Sequence, residues 1–388
     1  MFQSGHKSVR NADLCRMRFG ERKPIRTADG SFSLELADGT ETYHSRHGAL
    51  QESQYVFIAQ GLEPRASQAS LTVLEVGFGT GLNALLAWAW AEKHGVRVHF
   101  ITLETYPLHE AEWSALSFDV EVTDQPNAFT RMHRADWNVP VALSDSFELE
   151  KRTDSWLTFA AEGVADLVFY DAFGPPTHPQ MWTAHTLYRA ARALKPGGAL
   201  VTYCAKGVVR RRLQRAGLEV ERLPGPPGKR EMLRANQPDP VPPAPTRFNL
   251  RAYMLLLNET EDAVLVADEV IHGHAMIKFP GGGVEFGEGP EDAVLREALE
   301  ELGQEVEITG HFYTTGFHQV SAFRATDQLV SIYYRVKLVK PQVFSALEAD
   351  APGDPESPLQ FRWVPLDRIA SWPLTYTIDQ KVGELVGA

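Results

Sequence analysis

The sequence predicts two α/β domains in series. The chain has 388 residues, too many for one ordinary core. Apolar strand-like runs alternate with amphipathic segments over residues 1–235. A stretch with five prolines in eleven residues, Asn236 to Thr246, then divides the chain.

In the first domain, residues 1–235, strands are expected at Leu71–Val76, Val96–Leu103, Ser146–Arg152, Ala165–Tyr170 and Ala199–Cys204. Helices are expected at Leu82–Lys93, Pro179–Leu194 and Gly207–Ala216. Alternation of this kind implies a mostly parallel sheet covered by helices. Residues 236–246 are too proline-rich for a helix or a central strand and read as a semi-rigid linker. In the second domain, residues 247–388, Leu250–Leu257 and Ala263–Ala267 read as a hairpin-like pair. An acidic helix follows, then strands at Leu329–Val339 and Phe361–Val364, giving a smaller mixed α/β unit.

Composition narrows the function classes. The hydrophobic fraction of 44% is that of a globular protein, and the net charge of −12 argues against a basic surface for bulk nucleic-acid binding. Cys15 and Cys204 are the two cysteines, and they make neither a metal motif nor a disulfide scaffold. Met1 to Arg10 carries no apolar signal core, and the longest apolar run, Ala84 to Ala91, is far too short to span a bilayer. The expectation is a cytoplasmic enzyme with no membrane partner.

The first candidate site is the turn after Leu71–Val76, where Glu75-Val-Gly-Phe-Gly-Thr-Gly81 opens an apolar helix. Gly77, Gly79 and Gly81 let the backbone turn sharply and approach a ligand closely. Position 82 is leucine where a dinucleotide fingerprint has its third glycine, which favours S-adenosylmethionine (SAM) over NAD. Glu104, 23 residues past Gly81, is placed to accept hydrogen bonds from ribose hydroxyls, and Asp154 to contact the adenine. Asp171 ends the strand Ala165–Tyr170, so it points at the cofactor crevice; a carboxylate there orients an attacking amine and takes its proton. The plainer role for Asp171 is a helix cap. Lys206 to Arg234 holds nine Lys/Arg and three acids, a local basic patch for RNA phosphates or simply a solvated helix face.

The second candidate site is Pro280 to Gln304. Arg296, Glu297, Glu300 and Glu301 fall within six residues of an expected helix, with Glu288 and a glycine-rich turn just before it. Acids this close repel unless something positive sits among them, and a divalent cation is the simplest answer. Glu297 and Glu301 are four apart and share one ridge beside Glu300. Phe312 to Phe323 is an aromatic stretch suited to stacking on a base.

Two families resemble these halves. Residues 25–235 resemble the methyltransferase domain of the bacterial enzymes that finish 5-methylaminomethyl-2-thiouridine at the tRNA wobble position. The matching pieces are Thr27-Ala-Asp-Gly30, Tyr43-His-Ser-Arg-His-Gly-Ala-Leu-Gln-Glu-Ser53, Leu74 to Asn83, Tyr170-Asp-Ala-Phe173, Pro179 to Thr183 and Gly228-Lys-Arg-Glu-Met-Leu233. The resemblance implies a Rossmann-like class I fold and methyl transfer from SAM to the exocyclic aminomethyl nitrogen of the uridine. It further implies that Gly77, Gly79, Gly81, Glu104 and Asp154 contact SAM, and that Glu75, Tyr43, His47 and Gln51 help build the pocket. Asp171 would lie by the amine. Many members continue into an FAD-dependent oxidase, and nothing after residue 235 looks like one.

Residues 247–388 resemble a Nudix hydrolase. Gly282, Glu288, Arg296, Glu297, Glu300, Glu301 and Gly303 fall on the fixed positions of the family box, whereas Ala298 and Gln304 replace larger apolar residues. The resemblance implies a small α/β/α fold and hydrolysis of a nucleoside diphosphate compound. Mg²⁺ or Mn²⁺ would be held by Glu297, Glu300 and Glu301 with Gly282 alongside. The combined expectation is a bifunctional enzyme acting on tRNA and on a nucleoside diphosphate-type small molecule. The alternative is a small-amine, polyamine-like methyltransferase whose second domain is a regulatory ligand-binding module.

Overall fold

The computed structural model describes residues 22–388 except 117, 119–121, 242, 272–273, 341–343, 345 and 355–356. Cys15 lies outside the described residues. The chain forms two compact units, residues 1–242 and 243–388.

The first unit opens with a small antiparallel pair, β1 (Lys23–Arg26) and β2 (Phe32–Glu35). Its main sheet contains β3 (Ser70–Val76), β4 (Arg97–Leu103), β5 (Pro140–Ala142), β6 (Phe147–Arg152), β7 (Ala165–Tyr170), β8 (Leu194–Thr202), β9 (Glu219–Pro224) and β10 (Glu231–Asn236). The spatial order is β5-β6-β4-β3-β7-β8-β10-β9. The five central strands run parallel, and β5, β9 and β10 are antiparallel additions. β3 is apolar on both faces because both are covered. Leu71 and Val73 enter one core, Leu74 and Val76 the other. β7 divides likewise, with Leu167 and Phe169 on one side and Val168 and Tyr170 on the other. From β3 the chain passes first to β4 on one side and only later to β7 on the other. The carboxyl ends of β3 and β7 therefore form a topological switch point, where open α/β sheets bind ligands.

The helix Leu82–His94 starts at Gly81 and stops at Gly95, both in the left-handed region, and Gly95 N–H closes on Ala91 O. The helix expected over Pro179–Leu194 is broken. A 3₁₀ turn spans Pro179–Trp182, and Thr183 then accepts the Thr186 N–H on its hydroxyl to cap a new helix, Ala184–Ala193. Leu194 already belongs to β8, five residues before the expected strand.

A buried brace stands behind the glycine turn. Lys151, wholly buried between the Phe78 and Trp137 rings, donates to His133 O at 2.7 Å. The His133 ring stacks on Trp113 and meets Thr80 O at 3.0 Å. Burial, with Lys151 nearby, pushes the His133 pKa down to about 3, and burial pushes His44 down to about 4.

The second unit contains two four-stranded sheets. One runs β14-β11-β16-β15, from β11 (Arg247–Leu256), β14 (Gly281–Gly283), β15 (Val306–Thr314) and β16 (Asp327–Leu338). The other runs β13-β12-β18-β17, from β12 (Ala263–Ile271), β13 (His274–Lys278), β17 (Leu347–Glu348) and β18 (Leu359–Pro365). The expected hairpin of β11 with β12 is not formed. The two strands lie in different sheets and share one bridge, Leu257–Val264. Both edges of β11 are taken by β14 and β16. Both its faces are buried, Ala252, Met254 and Leu256 in one core and Tyr253 and Leu255 in the other. The acidic helix Pro290–Glu297 continues as a wider turn over Ala298–Leu302 and ends at left-handed Gly303. Among the described residues no helix is long and apolar enough to cross a membrane.

The two depressed histidines fix the sign of one pH effect. Below the unfolded value of about 6.5 the unfolded chain takes up protons that folded His44 and His133 refuse, so their contribution to stability falls as pH drops from about 6.5 toward 4. Each contributes at most about 1.4 kcal/mol per pH unit. Buried Asp171 and Asp379, raised to about 7, act in the opposite sense over the same range, so the histidine contribution is read as a difference between two proteins. In urea denaturation at pH 7, 6 and 5, His133→Gln, which keeps a donor for Thr80 O but does not titrate, should lose less stability toward pH 5 than wild type does, or gain more.

Candidate active sites

A cavity of about 270 Å³ opens at the switch point of the first unit. Gly77, Phe78, Gly79 and Thr80 form one wall. Gly77, Gly79 and Gly81 take φ of 95°, 52° and 78°, where a side chain is strained. A Cβ on Gly77 would stand 3.3 Å from Asp171 O, and one on Gly79 would stand 3.1 Å from the Tyr43 ring. Gly81 does not line the cavity; a Cβ there would come within 2.7 Å of Met132 Cε, so this glycine packs the turn against the helix behind it.

Glu104, just past β4, lines the same cavity. Its carboxylate accepts the Gly79 N–H at 3.1 Å and the Tyr106 N–H at 2.8 Å, which ties the glycine turn to the neighbouring strand end. Asp171 follows β7 and lines the cavity. Burial, with Glu52 nearby, pushes its pKa up to about 7, against a 2.8 Å hydrogen bond from Asn83 Nδ2 and the charge of Lys229. Tyr43 meets Phe173 edge-on at 4.9 Å, and both line the cavity.

Four more of the expected residues do not line this cavity. Asp154 turns back to Arg152, Oδ2 to Nε 2.7 Å, and its neighbours Ser155, Trp156 and Leu157 face the cavity instead. Glu75 is wholly buried in β3 and does not line the cavity. The His47 ring lies against Gly228, within 2.0 Å of where a Cβ would be, and Gln51 donates its backbone N–H to Asp29 Oδ2 at 3.0 Å. Both hold the segment that carries the site without lining it.

Sequence reasoning assigned no role to several residues that do line the cavity. His44 is buried and meets Ser33 Oγ at 3.2 Å. Glu52 is buried, accepts the Ser45 N–H at 2.8 Å and pairs with Lys229, whose ammonium lies 3.7 Å from the Tyr203 ring centroid. Glu52 and Lys229 stand inside quoted stretches of the resemblance, whereas Tyr203 carried no signal. The wall carries four acids, Glu41, Glu52, Glu104 and Asp171, against the two permanent cations Arg22 and Lys229. Such a wall favours a cationic ligand.

In the second unit one guanidinium organises the acids. Arg296 donates to Glu288 at 2.8 and 3.1 Å, to Glu297 at 3.0 Å, to Glu300 at 2.9 Å and to Gly283 O at 2.9 Å. Glu301 accepts the Gly281 N–H at 2.8 Å and faces Lys278 Nζ at 3.4 Å. Burial raises the Glu301 pKa, opposed by Lys278 and the Gly281 N–H. The charge that relieves acid–acid repulsion is thus supplied by the protein itself. Among the described residues no group of three or more His, Cys, Asp or Glu is gathered to hold an ion. Glu300 is largely exposed, and Glu297 and Glu301 flank the Gly281–Gly283 strand. The Glu297 carboxylate occupies the space a Cβ on Gly282 would fill, within 2.0 Å. Two hard carboxylates beside a bare backbone turn suit Mg²⁺ or Mn²⁺. In the aromatic stretch Phe312 and Tyr313 belong to β15, and with Phe317 they pack partly against the core.

Residues 126–238 match the family of S-adenosyl-L-methionine-dependent methyltransferases, and residues 247–382 match the NUDIX domain. The chain joins a methyltransferase domain to a NUDIX domain. The methyltransferase half is 35% identical over 219 residues to the tRNA 5-methylaminomethyl-2-thiouridine biosynthesis bifunctional protein MnmC of Aromatoleum aromaticum, covering 51% of this chain and 33% of the relative. It is 34% identical over 223 residues to the MnmC of Stutzerimonas stutzeri, covering 50% of this chain and 32% of the relative. The chain therefore spans about a third of the length of these curated relatives. Among solved structures, MNMC2 from Aquifex aeolicus aligns with TM-score 0.45 and 27% identity, over 60% of this chain and 78% of that one. A NUDIX hydrolase from Nitrosomonas europaea aligns with TM-score 0.28 and 19% identity, over 35% of this chain and 86% of that one.

The Gly282 contact generates a test in the NUDIX domain. Gly282→Ala should push the Glu297 carboxylate aside and weaken Mn²⁺ binding by roughly tenfold in calorimetry, with the circular dichroism spectrum unchanged.

Proposed function

We propose that the methyltransferase domain methylates the exocyclic amine of an aminomethyl-uridine in tRNA, and that the NUDIX domain hydrolyses a nucleoside diphosphate compound. The observation that carries the first reading is the placement of Asp171. Its carboxyl faces the cavity beside the glycine turn, on a wall where acids outnumber cations. An attacking amine must be neutral, and a carboxylate poised near pH 7 can orient it and accept its proton. Bound SAM supplies the electrophilic methyl group. Gly77 and Gly79 bring backbone close to it, and Glu104 is the acceptor available for its ribose hydroxyls. The names of the curated relatives support a tRNA acceptor.

The basic stretch supports RNA contact only in part. Arg222 pairs with Glu231, Arg234 with Glu221 and Lys229 with Glu52, while Arg212 donates to Trp182 O. Lys206, Arg211 and Arg230 stay exposed and are the candidates for phosphate contacts.

In the NUDIX domain Glu297 and Glu301 would hold the divalent ions, which neutralise a diphosphate and acidify an attacking water. Arg296 and Lys278 fix the carboxylates in place until an ion competes for them.

The purified 388-residue chain given SAM and undermodified tRNA should incorporate methyl groups; incorporation into free amines alone would overturn the tRNA reading. Asp171→Asn should lower kcat by about 10²–10⁴-fold with little change in SAM affinity. Because the ionised carboxylate is the proton acceptor and its pKa is raised to about 7, kcat/KM should fall on the acid side of about pH 7. A flat profile from pH 5.5 to 8 would remove that role. Glu301→Gln should abolish Mg²⁺-dependent hydrolysis of nucleoside diphosphate compounds; a variant as active as wild type would remove Glu301 from that role, and a wild type that binds these compounds without turnover would instead support a ligand-binding module.

A further inference from the structure

Two of the cations beside the glycine strand of the NUDIX domain are fully committed. Arg296 spends its guanidinium on Glu288, Glu297, Glu300 and Gly283 O. Lys278 Nζ lies within 3.4 Å of Gly281 O, Glu269 and Glu301. Arg251 differs from both. It is half-buried in β11, directly opposite Gly283 of β14. Its Nε donates to Tyr253 Oη at 2.6 Å. Among the described residues no carboxylate pairs with it and its two Nη atoms have no hydrogen-bond partner, yet neither is sealed from solvent.

Strand register shows what those nitrogens stand beside. Residues opposite each other in an antiparallel pair project from one face, and successive residues from alternate faces. Ala252 and Gly282 share the face that packs on the acidic helix, where the Glu297 carboxylate fills the space over Gly282. Arg251 and Gly283 share the other face. A Cβ on Gly283 would meet nothing within 4 Å, so the strand is bare there. The opening ends at Gly281, whose Cβ would stand 3.1 Å from Tyr253 Cδ1. β14 is the edge strand of its sheet, so a ligand can reach round it to both faces. One face offers carboxylates, and the other offers an uncommitted guanidinium beside open backbone.

We propose that Arg251 is a substrate-binding residue of the NUDIX domain, which takes phosphate oxygens of the diphosphate over Gly283, on the face of the glycine strand opposite Glu297. The two Nη atoms form a planar fork that matches a phosphate, and Tyr253 holds the fork by Nε so that little side-chain freedom is lost on binding. Glycine at 283 leaves the room the phosphate needs. The diphosphate then straddles the edge strand. No bond is made or broken at Arg251. The inference deepens the NUDIX reading and rests on it only for its consequence in turnover.

Inorganic pyrophosphate, the part common to nucleoside diphosphate compounds, is the probe. In calorimetry of the 388-residue chain with Mg²⁺, Arg251→Gln should weaken pyrophosphate binding by roughly tenfold or more. Arg251→Lys, which keeps the charge and loses the fork, should fall between Arg251→Gln and wild type. Mn²⁺ binding without pyrophosphate should not weaken in Arg251→Gln, since removing a cation cannot disfavour a metal ion near acids. If Mn²⁺ and pyrophosphate binding weaken together, Arg251 merely holds the glycine strand and the proposal is overturned. Unchanged pyrophosphate affinity in Arg251→Gln overturns it, as does a wild type that binds no pyrophosphate. In hydrolysis of nucleoside diphosphate compounds Arg251→Gln should raise KM with kcat within about threefold of wild type. A wild type that binds pyrophosphate but hydrolyses none of these compounds removes the hydrolase reading, and the titrations alone then decide the role of Arg251.

Discussion

The methyltransferase domain depends on the close approach of two strand ends. β3 and β7 are neighbours in the sheet, and the chain leaves each of them directly into the cavity wall. The contact between Gly77 and Asp171 O is so tight that a Cβ would stand 3.3 Å from that oxygen. A glycine at this place lets the turn fold inward, and the same approach puts the Asp171 carboxyl beside the turn. Glu104 completes the arrangement by accepting a backbone N–H from Gly79, so the turn is held from the other neighbouring strand as well. The glycine wall of the cavity and the Asp171 carboxyl are thus brought together by one switch in strand order.

The NUDIX domain meets a different constraint, that of keeping several carboxylates together on one short helix. Arg296 binds three glutamates and a backbone carbonyl at once, and buried Lys278 stands between Glu301 and Glu269. Burial works against the Lys278 charge, but Glu301, Tyr253 and Glu269 outweigh it and raise its pKa above the ordinary lysine value. A planar guanidinium can reach several acids in fixed directions, whereas an ammonium serves as a point charge, and the two residues are used in that way here.

Much of this was legible in the chain itself. Ala165–Tyr170 falls where its apolar run ends, because a strand buried on both faces has no other composition open to it. Strands with one neighbour in sequence and another in space were harder. β11 and β12 follow each other closely and look like a hairpin, yet β11 is claimed on both edges by strands that are distant in sequence. The break at Thr183 was equally hidden, since the apolar spacing continues through it and only the hydroxyl cap marks a new start.

What the sequence determined alone is the set of local rules: glycines where the backbone must turn left-handed, paired apolar faces for a covered sheet, and an acidic ridge with an arginine one turn away. These follow from spacings of a few residues and from backbone sterics. Only the tertiary structure decided which acids face a cavity. It turned Asp154 to Arg152, buried Glu75 within β3, and brought Glu52, Tyr203 and Lys229 together from segments up to 177 residues apart. The reason is that burial and charge pairing depend on distances through space, which strand order sets and which no local pattern contains.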